Sequence, residues 1–140
     1  PQADQVTAHR LRLLNTNEMP DPERHAANPI NYATAGESIT LSSAQAKTVS
    51  RVLTSGSSYQ WDWTEYEADS CATDYGVKLI FHRGDRDIEA WLCFNCDDLL
   101  VFEPKQNQFV VEVYKFIYIR DELADVVREL FPDDEAIQDL

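Results

Sequence analysis

Three cysteines carry the most evident chemistry in the chain: Cys71, Cys93 and Cys96. Cys93 and Cys96 form a C-x-x-C at the end of the apolar run "WLCFNCDD". That spacing suits a redox dithiol, half of a zinc site, or a structural disulfide with one sulfur to spare. A redox dithiol needs a lowered thiol pKa, usually supplied by a helix N-terminus. Here the pair ends a predicted strand and is followed at once by Asp97 and Asp98, whose charge raises a thiol pKa. Zinc, the one cofactor the residues bring into question, takes four ligands as a rule. His82 lies at the other end of the same predicted sheet, roughly 20 Å away over about six strand residues. It does not reach the cysteines, whereas the two aspartates do; His9 and His25 have no assigned place. A disulfide from Cys71 to Cys96 or Cys93 is the preferred reading. In the chain-entropy model, closing such a loop contributes about 3 kcal/mol.

The segment "QWDWTEYEADSCATD" sets Trp61, Trp63 and Tyr66 among Asp62, Glu65, Glu67 and Asp69. Aromatics beside carboxylates form a candidate surface for a sugar or a cation, although the spacing matches no Ca²⁺ loop. The competing reading is a solvated connector whose rings pack on the sheet. "RGD" at Arg83 to Asp85 is accounted for by a turn. No Ser-His-Asp order, P-loop or G-x-G-x-x-G is present, so no catalytic residue is assigned and the chain is read as non-enzymatic.

The elements that must position these residues follow from periodicity. "QVTAHRLRLLN" alternates as a strand. Residues 15–38, rich in Pro, Asn and Asp, read as a long surface loop that ends near a short strand at "ESITL". Ser42 caps a helix and Gln45 completes a capping box. Ala46, Val49, Val52 and Leu53 form that helix's apolar stripe, and Gly56 suits its left-handed end. "VKLIFH" and "RDIEAWLCF" flank Gly84-Asp85, a two-residue turn with Gly first, which fits type II′. That register pairs Phe81 with Ile88, Leu79 with Ala90 and Val77 with Leu92. It places Cys93 across from Gly76, with Cys71 and Cys96 at the same sheet end. "LLVFE" and "QFVVEVYKFIYI" add two strands. A second helix follows, with Leu123, Val126, Val127 and Leu130 on one face, and Asp133 or Asp134 caps a last turn. The expected fold is one α+β domain over residues 1–140. Its sheet is a four-stranded antiparallel meander plus an N-terminal strand, packed by two helices in a cystatin-like arrangement.

With 25 acidic against 12 basic residues, the net charge of -13 repels phosphate backbones and anionic membranes. No apolar run is long enough to span a bilayer, so no transmembrane segment is expected. A first residue that is not Met points to a processed chain. Expected partners are a protein or small ligand, not nucleic acid.

"LSSAQ", "SSY", "YGVKLIF" preceded by a cysteine, "LCFNCDDLLVF" and "ELFPDDEAIQDL" together resemble a group of small, functionally uncharacterised bacterial proteins, many of them exported or lipid-anchored. The likeness runs from Leu41 to Leu140, and "LCFNC" and "FPDDEAIQ" are its most specific parts. It implies no activity. It implies a bacterial cell-envelope or secreted setting in preference to the cytoplasm. The function expected is therefore an envelope accessory or binding module. The alternative is a metal-binding or thiol-redox protein using the three cysteines.

Overall fold

The turn at Gly84-Asp85 sets the register of the sheet. In the computed structural model, which describes residues 3–23, 29–58, 74–103 and 112–140, strand β3 (Val77–Arg83) pairs with β4 (Arg86–Cys93) as the apolar pattern requires. Val77 faces Leu92, Leu79 faces Ala90 and Phe81 faces Ile88. Gly84 takes φ +57° while Asp85 stays out of the positive region, which is the type II′ pattern. A one-residue slip would place Phe81 opposite Glu89 and turn the buried side chains outward.

β5 (Asp98–Phe102) and β6 (Glu112–Lys115) continue the antiparallel order beyond β4. On the other side, β1 (Gln5–Leu13) pairs with β3, and β2 (Tyr32–Thr40) pairs with β1. Among the described residues the sheet therefore has six strands, ordered β2-β1-β3-β4-β5-β6, rather than a meander of four plus one. The added strand overlaps the short strand expected at "ESITL" and extends back to Tyr32, into the expected loop of residues 15–38. Its first part was hidden because it is an edge strand. Thr34 to Ser38 are exposed, and short polar side chains there carry no alternating apolar signal. Its pairing also shifts between Ala8 and Arg10, with Gly36 at φ +74°. A bulge of this kind twists an edge away from unwanted pairing. What remains of the loop is fastened: Asn31 is fully buried and exchanges hydrogen bonds with the Asp21 backbone at 3.0 and 2.7 Å.

Helix α1 (Ser43–Thr54) begins at the expected capping box. Gln45 N donates to Ser42 Oγ at 3.3 Å, and Ser42 N donates to Gln45 Oε1 at 3.0 Å. Its end departs from expectation. Ser55 caps it in extended backbone, and Gly56 is not left-handed. Helix α2 (Arg120–Leu130) buries Leu123, Val126, Val127 and Leu130 as the stripe requires, and Asp134 caps the short α3 (Glu135–Gln138). Residues 117–119, read as strand, instead form a 3₁₀ turn leading into α2.

The helices cover one sheet face, where Val6, Ala8, Val77, Leu79, Leu92 and Leu99 meet α1 and α2. The other face carries a second core that the alternation did not announce: Leu11, Tyr32, Tyr75, Trp91, Leu100 and Phe102. Tyr32, Tyr75 and Trp91 meet edge to face at 5.5 to 5.9 Å, a favoured aromatic arrangement. β4 is thus buried on both faces toward its end, so "AWLCF" reads as one continuous apolar run. No helix among the described residues is long and apolar enough to cross a membrane.

Candidate functional site

Cys93 and Cys96 lie at the sheet end where the register places them. Gly76 N donates to Leu92 O, which brings the residues before β3 alongside Cys93. Cys93 is a free thiol with no exposed surface. Its sulfur accepts the Asp74 N–H at 3.3 Å. Burial pushes the Cys93 pKa up, against the pull of the backbone N–H groups of Asp74, Cys96 and Asn95. Cys96 is buried in the turn between β4 and β5. Cys71 and the binding-surface candidates Trp61, Trp63, Glu65, Tyr66, Glu67 and Asp69 lie outside the described residues.

Charge at this end is paired, and the Lys115–Asp98 pair is buried. Lys115 and Asp98 are each 8 % exposed, with Lys115 Nζ 2.5 Å from Asp98 Oδ1. Lys115 also donates to Cys96 O at 2.8 Å. Asp97 sits at φ +54° in the turn, a conformation aspartate tolerates better than most residues. Its carboxylate lies 3.1 Å from Arg120 Nε. Burial raises the Asp97 pKa in spite of that arginine. Among the described residues no three His, Cys, Asp or Glu side chains converge as metal ligands.

A second constellation, unmarked in the sequence because its members come from three strands, lies on the outer face. Thr7 Oγ1 is 3.0 Å from His82 Nε2, and His82 Nδ1 is 2.9 Å from Asp87 Oδ1. The order hydroxyl, imidazole, carboxylate is that of an activated nucleophile. Acyl transfer also needs N–H donors aimed at the developing oxyanion. β1 and β3 are both interior strands, and their N–H groups are committed to ladder pairing on either side. The three side chains tie β1, β3 and β4 together across the sheet. His9, on the same face, has its pKa lowered by burial first and by Lys78 next.

The opposite end of the sheet, around the Gly84 turn, is built differently. There the helix-facing side opens into a cleft of about 850 Å³ between β3, β4, β5 and the last turn of α1. Phe81, Ala90, Leu99 and Val101 floor it, and Leu53 walls it from α1. Ile88, also in the lining, is 42 % exposed, whereas Ala90 and Leu92 farther along the same face of β4 are buried. No residue of α2 lines the cleft. Arg83 and Arg86 stand at its mouth by the alternation that places Phe81 and Ile88 inside it. Arg86 is held by Glu103 through two bonds of 2.9 and 3.0 Å. Sequence reasoning missed this site. Its only signal was that the α1 stripe ends at Leu53 while the sheet's apolar pairs continue to Phe81 and Ile88.

Comparison with protein-family models, with curated proteins and with solved structures gives no match to this chain.

Proposed function

We propose that the chain is a non-enzymatic binding module whose ligand enters the apolar cleft at the turn end of the sheet. The observation that carries this reading is the cleft itself, about 850 Å³ and lined mainly by apolar side chains. Small-molecule sites have these features: concave, apolar, with a few polar groups at fixed positions. The reading moves the proposed surface away from the aromatic-acidic connector and the cysteine end, where the described charges are paired and the thiol is buried. The test is a fluorescence titration with the neutral apolar probe N-phenyl-1-naphthylamine. One saturable site is expected, lost in Thr54→Trp, where an indole on the last turn of α1 fills the cleft while helix content and denaturation midpoint hold. Absence of saturable binding, or binding indifferent to Thr54→Trp, overturns the reading.

We further propose that Cys71 and Cys96 form a disulfide and that the protein works in the bacterial cell envelope. Support for the bond is that Cys93 is free and buried, that Cys96 lies in the turn at the same sheet end, and that the chain has three cysteines. A structural disulfide fits an oxidising compartment, and the sequence resemblance points to the same setting. The metal or thiol-redox reading of Cys71, Cys93 and Cys96 has one observation in its favour, the backbone N–H groups directed at the Cys93 sulfur. Full burial and a raised pKa weigh against it. Alkylation under denaturing conditions, read by intact mass, separates the two. One labelled thiol is expected, and three would overturn the disulfide.

A further inference from the structure

The mouth of the cleft has a polarity that its floor lacks. In a chain of net charge -13, two arginines and one aspartate stand at this opening. Arg86 is committed to Glu103. Asp85 has an interaction of its own. Arg83 is exposed and has no carboxylate partner among the described residues, and strand alternation puts it on the same face as Phe81, at the threshold of the apolar surface. Among the described residues the site therefore offers one guanidinium with no carboxylate partner and, behind it, a wall of hydrocarbon.

A guanidinium recognises a carboxylate through two parallel N–H···O bonds. A polyanion would meet the repulsion of the whole acidic molecule, whereas a single negative charge is balanced by Arg83 alone. An apolar floor rewards each methylene withdrawn from water. From these features, and resting on the reading of the cleft as the ligand site, we infer that the cleft binds a single-headed anionic amphiphile, a free long-chain monocarboxylate. The carboxylate sits on Arg83 and the tail runs over Phe81, Ile88 and Val101 toward Leu53. The part of Ile88 left in water in the free protein becomes part of the tail's contact surface.

The test compares dodecanoate with neutral dodecanol, both below their aggregation limits, by equilibrium dialysis against the intact chain. Dodecanoate should bind at one site. Arg83→Gln should weaken it about tenfold or more, the loss of one charge-assisted bidentate contact. Dodecanol affinity should stay within about twofold, because its tail contacts are unchanged. Added salt should weaken dodecanoate and spare dodecanol. Arg83 is exposed, so an unchanged denaturation midpoint in the variant verifies the fold. If dodecanol binds and dodecanoate is indifferent to Arg83→Gln, the head-group inference falls and the cleft reading stands. If N-phenyl-1-naphthylamine binds but neither twelve-carbon compound does, the amphiphile falls alone. If none of the three binds, both fall.

Discussion

The two ends of the sheet solve the same problem in opposite ways. At the cysteine end, polar groups are taken out of water and every gain depends on a partner: Lys115 on Asp98, Asp97 on Arg120, Cys93 on backbone N–H groups. At the turn end, no other described residue covers the apolar groups, and the arginine beside them has no carboxylate among the described residues. The first arrangement is costly to disturb and does nothing until it is disturbed. The second contributes little to folding and leaves free energy to be gained by binding. Nearness of chemically interesting residue types does not by itself mark a ligand site, since at the cysteine end the described polar groups are engaged with one another.

The sharpest way to break this contrast is to remove one member of the buried pair. Asp98→Ala leaves the Lys115 ammonium buried with only the Cys96 carbonyl as acceptor. The expected cost is about 3–5 kcal/mol, read as a lower urea midpoint at unchanged slope. Asp98→Leu combined with Lys115→Met should recover most of it, since a buried pair can be replaced by packed apolar groups. A loss below about 1 kcal/mol in Asp98→Ala would show that water reaches this end and would erase the contrast.

A smaller effect is expected where the closed end meets solvent. Arg10, on the helix face of β1, donates from Nε to Asp134 Oδ2 at 2.6 Å, and Asp134 also accepts the Ile137 N–H as cap of α3. The Arg10 hydrogen bond is the main reason the Asp134 pKa lies below its ordinary value. Asp134→Asn keeps a capping acceptor and removes the anion. The loss should be about 1 kcal/mol at neutral pH, modest because both side chains are partly exposed. A carboxylate with a depressed folded pKa stabilises above its unfolded pKa, and that contribution is lost as pH falls through the folded value. The gap between wild type and variant should therefore hold at neutral pH, narrow below about pH 4 and close under stronger acid. Urea melts of both proteins at stepped pH would show this. A gap that widened in acid would exclude the ion pair as its source.

Much of the closed end could be read from the residues, because its signals are local. A Gly-first turn and period-two alternation give the β3–β4 register, and that register places Cys93. The capping box at Ser42 and the α2 stripe are equally local. The second core was not legible, since Trp91 and Cys93 alternate with Ala90 and Leu92 in one apolar run, and only three-dimensional neighbours show that both faces are covered. The first part of β2 escaped, and only its end at "ESITL" was legible, because an edge strand needs no apolar face. The cleft escaped for a deeper reason. It is a mismatch between where α1 stops and where the sheet stops, and no residue type encodes a mismatch.

The smallest effect should come from the open end, and it sharpens the contrast because a small number is the informative one. Ile88 faces Phe81 across the β3–β4 ladder, as Leu92 faces Val77 at the other end. By residue type the two positions are alike. Leu92 has no exposed surface, whereas Ile88 is 42 % exposed. Leu92→Ala should cost about 2–5 kcal/mol, the usual range for a core truncation. Ile88→Ala should cost less than about 1 kcal/mol, because much of its side chain is in water already. Paired urea melts measure both. Equal losses at the two positions would mean that Ile88 is covered in solution by the protein itself, and the turn end would then be a core like the other. A small loss at Ile88 together with weaker N-phenyl-1-naphthylamine binding would place that side chain in the ligand's path, contributing to binding what it does not contribute to folding.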